Sequence, residues 1–188
     1  MIKRLVAIDF DKTLMQTFEP EEGMKIWSDA KGVAYPHLGW WSKPESLDME
    51  VFDIKPFPNV LSLLRREVGN KETYVIILTS RQEKLQPEVQ AVLDANHIVV
   101  DKLDMKRSEK TKGEKILEYI HEFPELKQID VFDDRESDIL DYKEIRSQIP
   151  EHIRFRIFQA DKGTLRIVEI ADRLKDIIRE ELQKLIKN

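Results

Sequence analysis

Apolar residues in this chain come in short continuous runs, separated by stretches with a three-to-four-residue rhythm. The runs "RLVAIDF" from Arg4, "TYVIILTS" from Thr73, "HIVVDKL" from His97, "IDVFDD" from Ile129 and "HIRFRIF" from His152 read as strands. Between them, "PNVLSLLRREV" places Val60, Leu63 and Leu64 on one helical face, and "PEVQAVLDAN" reads as a helix ending near Asn96. "TKGEKILEYIHEF" opens with Thr111 and Glu114 at capping-box spacing. Continuous apolar strands alternating with helices predict an α/β fold. The expected form is a Rossmann-like three-layer sandwich whose mainly parallel sheet is covered on both faces.

Two stretches break the rhythm. Residues 15–55 lack clear periodicity and hold all three tryptophans, which predicts a small cap inserted after the first strand. From Thr164 onward, apolar residues at Ile167, Ile170, Ala171, Leu174, Ile177, Ile178, Leu182 and Leu185 fall on one face. They predict a long amphipathic helix packed on the sheet.

Composition narrows the function more than the fold. A chain of 188 residues suits a single domain over 1–188 with the cap inside it. With no cysteine, disulfides, thiol catalysis and Cys-ligated zinc are excluded. The net charge of −5 disfavours nonspecific binding of nucleic acid by bulk charge. No apolar run reaches membrane-span length and no signal-peptide pattern is present, so a cytoplasmic protein without membrane contact is expected.

In open α/β sheets, function gathers at the carboxyl ends of the strands. The first strand ends at Asp9 and Asp11, which share a side because strand residues two apart do. The second ends at Thr79, Ser80 and Arg81, and the fourth at Asp133 and Asp134, with Asp138 beyond. Four convergent carboxylates would raise one another's pKa values. A hard divalent cation such as Mg²⁺ offsets that repulsion and bridges carboxylates to a phosphate, whose other oxygens suit Thr79, Ser80 and Arg81. One of the first two aspartates then serves as nucleophile, and the other as general acid and base.

These residues carry a resemblance. "DFDKTL" resembles the D-x-D-x-T motif of the haloacid dehalogenase (HAD) superfamily of phosphohydrolases, and "YVIILTSR", "TKGEKIL" and "IDVFDD" resemble its second, third and fourth motifs in order. The resemblance spans roughly residues 3 to 140. It implies that Asp9 is the nucleophile and Asp11 the acid and base. It further implies that Mg²⁺ is held by Asp9, the Asp11 backbone carbonyl and Asp133 or Asp134, and that Thr79 and a lysine, Lys112 or Lys115, bind the phosphoryl oxygens. Lys12 stands where many members have glycine. "GWWSKPESLD", "LTSR", "DKLDMK" and "DDRESD" together resemble the HAD domain of Swiss Army Knife RNA-repair proteins, and "DDR" resembles polynucleotide 3′-phosphatases. That narrower likeness implies a phosphorylated substrate at a nucleic-acid end. A small-molecule phosphomonoesterase and a phosphate-binding protein without turnover are the alternatives. Trp40 and Trp41 either plug the base of the cap or offer a face for a base to stack on, one at most being free to do so.

Overall fold

The computed structural model describes residues 1–168. Six strands form one sheet in the order β3-β2-β1-β4-β5-β6. In chain order they are β1 (Arg4–Ile8), β2 (Thr73–Gln82), β3 (Lys102–Lys106), β4 (Gln128–Asp133), β5 (Arg154–Asp161) and β6 (Thr164–Ile167). All neighbours are parallel except β5 and β6. β1 lies at the centre, with Ile8 opposite Ile77 on one side and Phe132 on the other.

Period-two alternation sorts β1 between the two faces. Val6 and Ile8 join the core formed with α2 (Pro58–Val68) and α3 (Gln86–Ala95), through Val60, Leu64, Val89 and Leu93. Leu5 and Ala7 join the opposite core with α4 (Lys112–Glu122) and α5 (Glu136–Glu144), through Ile116, Tyr119, Ile139 and Tyr142. The three layers expected from the sequence are therefore present. Helix starts follow local chemistry: Pro58 opens α2 at a position whose N–H needs no partner, and the Thr111–Glu114 capping box closes the first turn of α4.

Two expectations are corrected. The third strand lies over Lys102–Lys106 rather than from His97, because α3 ends in a left-handed His97 (φ 52°) and the chain then crosses to the sheet, leaving Val99 72% exposed. Thr164–Ile167 is not the start of a helix but an antiparallel edge strand, turned back by Lys162 and Gly163, both at positive φ. The rest of the expected C-terminal helix, residues 169–188, lies outside the described residues.

The stretch without periodicity contains a helix, α1 (Pro20–Lys31), followed by a 3₁₀ turn at Pro44–Leu47. The base of the insertion is clasped where Phe57 N donates to Leu14 O at 2.8 Å and Gln16 N to Lys55 O at 2.8 Å. Its centre is Trp40, 2% exposed, whose indole Nε1 donates to Phe18 O at 3.0 Å and whose ring meets Phe52 edge-on at 5.7 Å. The indole lies directly on α1 at Gly23, where a Cβ would stand 2.2 Å from it. Among the described residues no helix is long and apolar enough to cross a membrane.

Candidate active site

Asp9 directly follows β1, and its amide donates to Phe132 O at 2.9 Å, which ties it to the end of β4. The chain then folds back in a tight loop: Leu14 N donates to Asp9 O at 3.1 Å and Met15 N to Phe10 O at 2.8 Å. Lys12 takes φ 56° at the tip, the left-handed geometry that glycine adopts without strain. Its ammonium pairs with Glu19 and lies 3.6 Å from Asp134. The loop turns Asp9 and Asp11 into one cleft of about 270 Å³, also lined by Thr79, Ser80, Arg81, Asp134 and Trp41.

Two cationic side chains divide the carboxylates between them. Lys112, the first residue of α4, is buried, and its Nζ lies 2.7 Å from Asp9 Oδ1, 2.6 Å from Asp133 Oδ2 and 3.1 Å from Asp138 Oδ2. Lys115 is one turn away but turned elsewhere, its Nζ 2.6 Å from Asp104 and 2.8 Å from Met105 O. Of the two lysines the sequence left open, Lys112 therefore faces the site. Arg81 takes the other carboxylate, donating from Nε and Nη2 to both oxygens of Asp11 at 2.8 Å. Its remaining bonds go to Ser46 Oγ at 2.7 Å and Trp41 O at 3.2 Å. Four of its five N–H groups are thus engaged within the protein.

Thr79 is buried with its hydroxyl accepting from Arg81 N at 3.2 Å, whereas Ser80 is exposed on the cleft wall. The tryptophans separate as adjacent residues do: Trp40 is the plug and Trp41 lines the cleft, its ring 5.4 Å from the Arg81 guanidinium carbon. Sequence reasoning missed Ser46 and Tyr142. The Tyr142 hydroxyl lies 3.4 Å from Asp133 Oδ2 and is buried against the lysine cluster. Its signal was present: Asp138, Asp141 and Tyr142 fall at i, i+3 and i+4 on the helix after the acidic strand end. Asp141 accepts from Gly113 N at 2.6 Å and thereby fastens α5 to the start of α4.

Burial pushes Asp9 well above the usual carboxylate range, against the pull of Lys112 and with the help of Asp133 and Asp11. Burial likewise raises Asp133 to about 6, opposed by Lys112 and assisted by Asp138. Asp134 is raised as well, chiefly by burial. Lys112 loses solvation by burial, but Asp9 and Asp133 outweigh that and hold it well above its ordinary value. One ammonium is thus shared among three acids, which leaves negative charge undercompensated. Asp9, Asp133 and Asp134 each present an oxygen, all within 4.8 Å of one another. A compact all-oxygen set with surplus negative charge fits Mg²⁺, a hard cation that binds through a few carboxylates and retains water. The Asp11 carboxylate is not part of that set and stays with Arg81.

The fold has known counterparts. The structure is similar to the HAD domain of effector protein Lem4 from Legionella pneumophila, with a TM-score of 0.53, 14% identity and 95% of each chain covered. It is also similar to a haloacid dehalogenase-like family hydrolase, SP0104, from Streptococcus pneumoniae, with a TM-score of 0.50, 16% identity, and 76% of this chain and 80% of that one covered. This likeness establishes the fold, which is that of the haloacid dehalogenase-like hydrolases. No family model matches the sequence. The sequence is 24% identical over 160 residues to the uncharacterized protein YMR265C of Saccharomyces cerevisiae, covering 71% of this chain and 35% of that protein. The chain thus spans about a third of the length of the curated relative it matches.

Proposed function

We propose that the protein is a Mg²⁺-dependent phosphomonoester hydrolase working through an aspartyl-phosphate on Asp9. The observation that carries this reading is the division of labour at the end of β1. Asp9 sits among Lys112, Asp133 and Asp134, while Asp11 faces the same cleft from a separate ion pair. A nucleophile needs cationic surroundings that draw the phosphoryl group in, and an acid–base needs to stand beside the leaving oxygen but outside the metal set.

In the first step Asp9 attacks phosphorus, the bond to the leaving oxygen breaks, and Asp11 supplies that oxygen's proton. In the second, Asp11 takes a proton from water, the water oxygen attacks phosphorus, and the bond to Asp9 breaks. Lys112 and Ser80 hold the equatorial oxygens. Mg²⁺, bound by Asp9, Asp133 or Asp134 and the Asp11 carbonyl, would supply neutralisation of the charge on the transferring group. Within this reading residues 15–55 are a small cap on a single domain over 1–188.

A second reading, that the phosphate is at a nucleic-acid end, is favoured by a cleft lined by both Trp41 and the exposed Arg135, an aromatic ring and a cation in one site. The test is a panel of aryl phosphates, phosphorylated metabolites and 3′- or 5′-phosphorylated oligonucleotides, with Mg²⁺ and with EDTA. Metal-dependent release of phosphate is expected. Its absence across the panel would remove the phosphatase reading, and hydrolysis of small esters alone would remove the nucleic-acid one.

A further inference from the structure

The insertion reaches into the core at one point. Ser46 is 1% exposed, and its hydroxyl donates to Lys43 O at 2.7 Å while accepting from Arg81 Nη1 at 2.7 Å. Its one donor is committed to Lys43 O and one lone pair to Arg81, so the hydroxyl has one orientation. The turn that carries it is closed by Ser46 N to Lys43 O at 3.2 Å, and the turn just before it by Lys43 N to Trp40 O at 3.0 Å; Trp40 is the plug that fastens the insertion to α1. The neighbouring Trp41 carbonyl takes the second Nη1 hydrogen. The Arg81 side chain is 1% exposed, and its guanidinium lies over the rings of Phe10 and Trp41, at 5.8 and 5.4 Å. Two hydrogen bonds from the insertion and two rings thus fix the plane of Arg81. That plane in turn fixes both oxygens of Asp11, itself 19% exposed.

We infer that Arg81 is a positioning residue for Asp11, and that Ser46 and the Trp41 carbonyl, contributed by the insertion, hold it in place. The insertion then takes part in proton transfer as well as covering the cleft. The planar fork of arginine suits this: it matches a carboxylate oxygen for oxygen, which an ammonium cannot. Without the Ser46 anchor, Arg81 keeps its charge but loses its aim, and Asp11 loses a defined direction toward the leaving oxygen. Positioning errors of this kind act on the chemical step and leave the ground-state grip on phosphate alone.

The inference rests on the phosphohydrolase reading, and its test separates the two. Wild type, Ser46→Ala and Arg81→Lys are compared on aryl phosphates of increasingly poor leaving groups, with inorganic phosphate as inhibitor. Ser46→Ala is expected to lower kcat about tenfold on the poorest leaving group, where proton donation matters most. On an activated ester that needs little proton donation the loss is expected to be small, with KM and phosphate inhibition unchanged. Arg81→Lys is expected to show the same pattern more strongly. Equal losses on every ester would mean a structural role, and weakened phosphate inhibition would mean that Arg81 binds the phosphoryl group; either overturns the proposal. Crystal structures of Ser46→Ala and wild type give a readout independent of turnover. A rotated Asp11 carboxylate is expected, and an unmoved one overturns the clamp. If wild type hydrolyses no phosphate ester, the phosphatase reading falls while the crystal comparison still decides the clamp.

Discussion

Asp130 and Asp133 stand three residues apart on β4, both 0% exposed, in opposite electrostatic conditions. Asp130, in mid-strand, receives Arg156 at 2.6 and 2.8 Å, Arg4 at 2.6 and 3.0 Å, and Gln128 at 2.7 Å. Burial pushes its pKa up, but Arg156, Gln128 and Arg4 outweigh it and leave the group below the usual range. Asp133, at the strand's carboxyl end, has one lysine that it shares with Asp9 and Asp138, and burial wins. Burial of a carboxylate therefore does not mark a functional site by itself. What separates the two is whether the protein supplies enough positive charge of its own. Asp130 is saturated and ties Arg4, and through it Glu67 of α2, to the sheet. Asp133 is left wanting, beside an open cleft.

The sharpest way to break this contrast is to remove a charge at each end. Asp9→Asn is expected to cut hydrolysis of an aryl phosphate by at least about a thousandfold, because the nucleophile is gone. Its thermal melt should sit at or above wild type, because one of the crowded acids no longer needs compensation. Retention of a tenth of the activity would rule out the covalent mechanism. Lys112→Ala is expected to cost about a hundredfold or more in kcat/KM. Lys115→Ala, whose partner is Asp104, should cost little activity, and a reversal of that order would reverse the assignment.

At the saturated end the pattern inverts. Asp130→Asn is expected to cost about 3 kcal/mol in urea denaturation, since two guanidinium groups lose their shared partner, with kcat/KM unchanged. The smallest effect expected is in the pH dependence of metal binding. A carboxyl whose folded value is raised, as for Asp133 from 3.8 to about 6, binds its proton more tightly in the native state. Without metal its contribution therefore lowers stability as pH climbs through that window. Mg²⁺ needs the ionised form, so the rise in Tm that it produces should grow as pH passes about 6. The gain expected is about 1–2 kcal/mol at tens of Kd. A constant rise across that range would mean that the metal sits away from Asp133 and Asp9. Asp130 works in the other direction, its stabilisation being lost as pH falls.

Much of this was legible in the sequence for a physical reason. A buried parallel strand must be apolar without interruption, so β1, β2 and β4 announced themselves, and the acids that end them stood out by contrast. β3 was misplaced because Val99 and Val100 look like strand residues while belonging to a crossing loop, and no local pattern reports the left-handed turn at His97. α1 escaped because its interior glycine and its tryptophan spoil the periodicity that normally betrays a helix. In the cleft, residue types and spacing located Asp9, Asp11, Thr79, Asp133 and Asp134, but partnership was invisible. Whether Arg81 faces a phosphate or Asp11, and which of Lys112 and Lys115 turns inward, depends on side chains from 11 to 103 residues away in the chain.

Gly23 and Trp40, seventeen positions apart, behave as one volume. The indole occupies the space a side chain at 23 would need, so each residue constrains the other more than its chain neighbours do. When related sequences are aligned, the two columns should be treated as a single character. A lineage that trades the tryptophan for a smaller ring frees position 23 for a Cβ and a better helix former, whereas one that changes position 23 alone expels the ring. Because Trp40 sits next to Trp41 and closes the turn that leads into the one holding Ser46, such a trade would be inherited at the cleft wall as well.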